Sequence, residues 1–168
     1  DFSQANLTDA SLSNTVLAGA DFSAAVITGA NLSATTKGRF TAEQLYSTTS
    51  YQAKDLKGIG LSDNNLAGWD FSDQNLAGAR LFESVLTDAD LYGADLAGAY
   101  LPLAKLSGAS LRHAKLTDTQ LSAASFTNAD LTGADLRGAL DFSRGRSTQT
   151  DNTIRINLVY ETFADSAR

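Results

Sequence analysis

The chain has 168 residues with no cysteine, no methionine and one histidine, and its thirteen basic and nineteen acidic residues leave a net charge of −6. Without thiols, disulfides, thiolate metal sites and cysteine nucleophiles are excluded, and the acidic balance argues against direct nucleic-acid binding. No apolar run is long enough to insert in a membrane, and a start at Asp1 reads as a processed product or an excised fragment.

From Phe2 onward a large apolar residue recurs every fifth position, through Leu7, Leu12, Leu17, Phe22, Ile27 and Leu32. Alanine stands two before most of these centres, and glycine often stands two after, as at Gly19 and Gly29. A period of five suits neither an α-helix, which would rotate successive centres by about 140°, nor a straight strand, which would alternate their faces. A chain that bends by about a quarter turn in each unit closes a square coil every four units, with all centres pointing to its middle. Glycine at the bend tolerates a positive φ, and alanine before the centre leaves room for one large side chain per side.

The phase breaks at residues 33–55. Phe40-Thr41-Ala42-Glu43-Gln44-Leu45 reads as a helix start, with Thr41 as cap, Gln44 completing a capping box and Phe40 stapling against Leu45. One or two short helices are predicted over about 41–53. Two readings stand for this excursion: packing on one face of the coil, or a recognition loop.

The repeat resumes at Leu56 and runs unbroken to Leu136. Its centres include Leu61, Leu66, Phe71, Leu76, Leu91, Leu96, Leu111, Leu116 and Leu131. Its first coil carries Ile59, Asn64, Trp69 and Gln74 where later coils have mostly alanine. Either that coil is wider, or these side chains turn to meet the excursion. Within the repeat, Ala89-Asp90-Leu91, Ala94-Asp95-Leu96, Ala129-Asp130-Leu131 and Ala134-Asp135-Leu136 resemble the unit of the pentapeptide repeat proteins. That resemblance covers residues 2–32 and 56–140. It implies an all-β fold, a right-handed quadrilateral β-helix (a β-solenoid) of about six coils with a short helical excursion. The domain reading is one repeat helix over 1–140, interrupted at 33–55, then a segment 141–168 that caps or dimerises.

In that last segment Ile154, Ile156, Leu158 and Tyr160 alternate like a strand, and Glu161 to Arg168 reads as a short helix. An open solenoid end needs covering, so a cap is one reading. The other is a homodimer, because topoisomerase-binding members of the resembled family use C-terminal elements that way.

Chemistry is sparse. His113 lies on an outward bend without a repeated partner, no glycine-rich phosphate loop exists, and a filled coil has no cleft for a Ser–His–Asp set. No catalytic, cofactor-binding or metal residue is assigned, and an enzyme is not expected. At a spacing of twenty residues, Asp70, Asp90 and Asp130 form one acidic column around Ser110, while Asp95 and Asp135 form another around Lys115. Acidic rows on such a rod suggest DNA mimicry, the role the resemblance implies through family members that confer fluoroquinolone resistance at DNA gyrase. A second patch gathers Arg80, Phe82, Tyr100, Pro102 and Leu103, read as outward-facing and either binding a partner or covered by residues 37–55. The expectation is a structural or protein-interaction module with an unidentified protein partner, present as a monomer or a C-terminal homodimer. The lack of cysteine and methionine tilts location toward secretion or the cell envelope without fixing it.

Overall fold

The computed structural model describes residues 1–140. The readings made for 141–168 lie outside the described residues. Four columns of parallel β-bridges organise the repeat, each joining residues that directly precede a centre. They run Gly60–Arg80–Tyr100–Gln120–Leu140, Asn65–Val85–Lys105–Ser125, Asp70–Asp90–Ser110–Asp130 and Asp55–Asn75–Asp95–Lys115–Asp135. Partners are twenty residues apart, so four five-residue sides make one coil.

One unit, Asp90 to Ala94, shows why five residues suffice. The Asp90 N–H donates to the Trp69 carbonyl at 3.0 Å in the coil before, while Leu91 and Gly93 donate to Ser110 and Arg112 at 2.8 and 2.9 Å in the coil after. Ala94 N–H closes the turn onto the Leu91 carbonyl at 3.1 Å. The fifth donor, Tyr92 N–H, is taken by the Asp90 carboxylate at 2.9 Å. Every backbone donor of the unit is satisfied, as burial against neighbouring coils demands. The residue two after each centre is left-handed throughout, glycine or not, with φ running from 54° at Glu83 to 73° at Gly133. That is the sign a type II turn requires at its third residue.

The core is single-file. Leu61, Leu66, Phe71, Leu76, Leu91, Leu96, Leu111, Leu116 and Leu131 are all buried, as are Ala79, Ala89, Ala94, Ala99 and Ala109 in the position two before a centre. Leu136, in the last described coil, and Phe2, Leu7 and Leu12, in the first, are only partly buried. Where serine or threonine replaces the inward alanine, its hydroxyl donates back to the carbonyl three residues earlier: Ser84 to Leu81 and Thr119 to Leu116, both at 2.7 Å.

Residues 33–55 replace two sides of one coil. Asn31 bridges to Gly60, a span of 29 residues rather than twenty. The inserted chain forms a 3₁₀ turn, Thr36–Gly38, and two short helices, α1 (Ala42–Tyr46) and α2 (Thr49–Gln52). Thr41 and Gln44 form the capping box of α1, their reciprocal bonds measuring 2.9 and 3.3 Å. Side-chain hydroxyls stand in for the missing backbone partners. Asp70 N–H donates to the Tyr46 hydroxyl at 2.6 Å, Asn65 N–H to Thr36 Oγ1 at 2.9 Å, and Ile27 N–H to Ser50 Oγ at 2.9 Å. Ser50→Ala should therefore strand the buried Ile27 N–H and cost about 1–3 kcal/mol, read as a lowered urea midpoint.

Three of the four large residues of the following coil meet this excursion, and the fourth, Ile59, is buried in the core. Asn64 accepts from Thr36 N–H at 2.9 Å and donates to the Leu32 carbonyl at 2.9 Å. Gln74 donates to the Tyr51 carbonyl at 3.1 Å, and Trp69 lies 6.1 Å from the Phe40 ring. Phe40 in turn packs edge-on against Phe22 at 5.5 Å, and Phe22 against Phe2 at 5.1 Å. An aromatic stack thus bridges the place where regular coils are interrupted.

Candidate interaction surface

The structure separates the five residues of the second patch. Arg80 and Tyr100 are ladder partners. The rings of Phe82 and Tyr100 stack at 6.1 Å with an interplanar angle of 22°. Tyr100 and Leu103 are 38% and 44% exposed, placing both among the few large apolar side chains left open to solvent. Pro102 is different: it is buried, which corrects its reading as an outward contact. It occupies the second position of its turn, whose N–H is in many other units capped by a preceding Asp or Asn. Tyr100 offers no such acceptor, and proline removes the donor that would have gone unpaired while presetting the φ that the turn needs.

The excursion does not cover this patch. Its hydrogen bonds and ring contacts go to residues such as Leu17, Ala25, Ile27, Asn64, Trp69 and Asp70, in the two coils that adjoin it, whereas Phe82 and Tyr100 stand in later coils. The reading in which residues 37–55 shield Phe82 and Tyr100 is corrected accordingly. Leu103 also holds a left-handed backbone, with φ of 61°. For leucine that conformation costs about 1–2 kcal/mol, whereas glycine adds about 0.4–1 kcal/mol of unfolded-chain entropy. Leu103→Gly should thus raise stability by about 0.5 kcal/mol, detectable as a small upward shift in melting temperature.

The acidic columns stand in the predicted register, and their first task is local. Asp70, Asp90, Asp95, Asp130 and Asp135 each accept the N–H two residues on, at 2.8–3.1 Å. Basic neighbours partly neutralise them: Lys115 lies 3.3 Å from Asp95, Arg112 lies 3.4 Å from Asp130, and Arg137 lies 2.7 Å from Asp135. The Thr132 hydroxyl and N–H hold Asp130 below the usual carboxylate range, with Arg112 adding to the effect. The Arg137 side chain does the same for Asp135. At Asp70 burial works against ionisation, but the Ser72 bonds and Lys54 outweigh it and keep the carboxyl low.

His113 packs edge-on against Tyr92 at 5.7 Å and is exposed. A shallow groove between the excursion and the coil is lined by Thr36, Lys37, Phe40, Glu43, Asn65 and Trp69. Thr36 is already engaged there by the Asn65 N–H. Among the described residues no cluster of His, Asp or Glu has the arrangement of a metal site, and no helix is long and apolar enough to cross a membrane.

The family model for pentapeptide repeats matches in eight copies over residues 1–36, 61–101 and 104–140, more than half of the chain. The chain belongs to the pentapeptide repeat family. A right-handed quadrilateral β-helix is that family's fold, and it accounts for the four ladders described above. Among solved structures of pentapeptide repeat proteins, Rfr23 from the cyanobacterium Cyanothece 51142 is 37% identical over 48% of this chain and 55% of its own, with a TM-score of 0.48. HetL from the cyanobacterium Nostoc, a protein involved in regulating heterocyst differentiation, is 29% identical over 82% of this chain and 54% of its own, with a TM-score of 0.46. QnrB1, a plasmid-mediated fluoroquinolone resistance protein, is 21% identical over 81% of this chain and 60% of its own, with a TM-score of 0.34. The chain thus spans a little over half the length of each. No curated protein matches it.

Proposed function

We propose that this pentapeptide repeat chain is a non-enzymatic interaction module, a rod of about six coils that presents a protein-binding surface around Phe82, Tyr100 and Leu103. The observation that carries this reading is the exposed pair Tyr100 and Leu103 on one five-residue side, with Phe82 stacked beneath the tyrosine. Exposed apolar groups gathered in adjacent coils add nothing to a core that is already filled, and their exposure favours a partner. A photo-crosslinking residue placed at Leu103 should trap one defined protein in a native lysate, while the same residue at Ala67, on another side of the coil, should trap none. Equal labelling from both positions would sink the reading.

The topoisomerase-inhibitor alternative draws on the acidic columns. Their carboxylates are occupied in turn capping, and Asp95, Asp130 and Asp135 also face basic side chains, which lessens the phosphate-like field they offer. Gyrase supercoiling is expected to proceed unchanged in the presence of the protein; inhibition at stoichiometric amounts would replace the interaction reading with mimicry.

A further inference from the structure

Ten glycines occupy left-handed corners of the coils, and they fall on only three of its four edges. The edge following Leu12, Leu32, Leu61, Leu81, Leu101 and Leu121 has none. Its left-handed residues are Asn14, Ala34, Asp63, Glu83, Leu103 and Ala123. The other three edges mix glycine with residues such as Asp73, Asp88 and Asp118 at these corners, whereas here every corner carries a side chain. The patch described above lies on that edge. Its charges are distinctive as well. Of the basic residues between 80 and 137, Arg112, Lys115 and Arg137 face aspartates, whereas Arg80 and Lys105 have no ion pair among the described residues. Arg80 is the ladder partner of Tyr100, and Lys105 that of Val85, so the two cations flank the apolar side chains at opposite ends of two adjacent coils. Glu83 is the one carboxylate in those two coils' share of the edge.

We propose that this glycine-free edge docks an acidic, apolar peptide segment of a partner protein, with apolar side chains set against Phe82, Tyr100 and Leu103 and carboxylates set toward Arg80 and Lys105. The proposal rests on the interaction reading and specifies its partner's chemistry. Unpaired cations beside exposed rings complement such a segment. A nucleic acid would meet the carboxylates of Asp95 and Asp135 on the adjoining side.

The test uses the full chain and three short fluorescent peptides that alternate leucine with aspartate, leucine with lysine, and serine with aspartate. The aspartate–leucine peptide should bind saturably and at least about tenfold more tightly than either control. Binding should weaken with added salt, fall by about tenfold or more in the Arg80→Ala/Lys105→Ala variant, and strengthen in Glu83→Gln. Leu103→Gly keeps the answer independent of folding: it should melt no lower than the parent yet bind more weakly. Equal or tighter binding of the lysine–leucine peptide, absence of binding, or an Arg80→Ala/Lys105→Ala variant that binds like the parent would overturn the proposal. If the crosslink at position 103 succeeds while the acidic peptide fails, the partner's chemistry is wrong and the interaction reading stands; if both fail, both fall.

Discussion

Replacing Leu96 by alanine is expected to lower the free energy of unfolding by about 2–5 kcal/mol. Leu96 is fully buried, and its neighbours in the column, Leu76 and Leu116, are buried with it. In a single-file core each coil supplies four large side chains, so no second layer can relax into the space that a truncated leucine leaves. Urea unfolding followed by far-UV circular dichroism measures the loss. Trp69, the sole tryptophan, reports separately on the junction with the excursion. Solenoid coils touch only their neighbours, so the dichroism midpoint should fall further than the Trp69 midpoint if coils unfold locally. A loss below about 1 kcal/mol would mean that the centres do not share one closed interior.

The opposite substitution, Ala94→Leu, should also destabilise, by about 1–3 kcal/mol. Ala94 is fully buried and stands two before Leu96, on the line of inward alanines with Ala114. Added methylenes there would press on the same column of leucines, and the backbone cannot yield because Ala94 N–H closes its turn and its carbonyl receives Lys115 N–H at 2.9 Å. The same denaturation series checks it. A silent Ala94→Leu would show free volume beside the centres. Together with Leu96→Ala it brackets the fit of the core from both sides.

Much of the architecture was legible because the repeat repeats. A five-residue period with alanine before the centre and a small or polar residue after it leaves one way to bury all the centres together, and the twenty-residue register of Asp70, Asp90 and Asp130 follows from four sides per coil. The capping box at Thr41 and Gln44 was legible for the same reason: its bonds join residues three apart, so local sequence contains all the partners. The patch was legible only in part. Tyr100 and Leu103 are exposed, but Pro102 is buried, and the spacing of the repeat does not separate the two cases.

What the sequence by itself determined is therefore the periodic part, where each unit's partners are copies of itself and short-range spacing dictates the long-range register. Only the tertiary structure decided the rest. It showed which two sides of the coil the excursion replaces, that the hydroxyls of Tyr46, Thr36 and Ser50 substitute for absent backbone partners, and that Trp69, Asn64 and Gln74 turn toward the inserted chain. These features arise between segments some twenty to thirty residues apart with no common period, and there the identity of a neighbour depends on how the chain packs, which spacing alone does not encode.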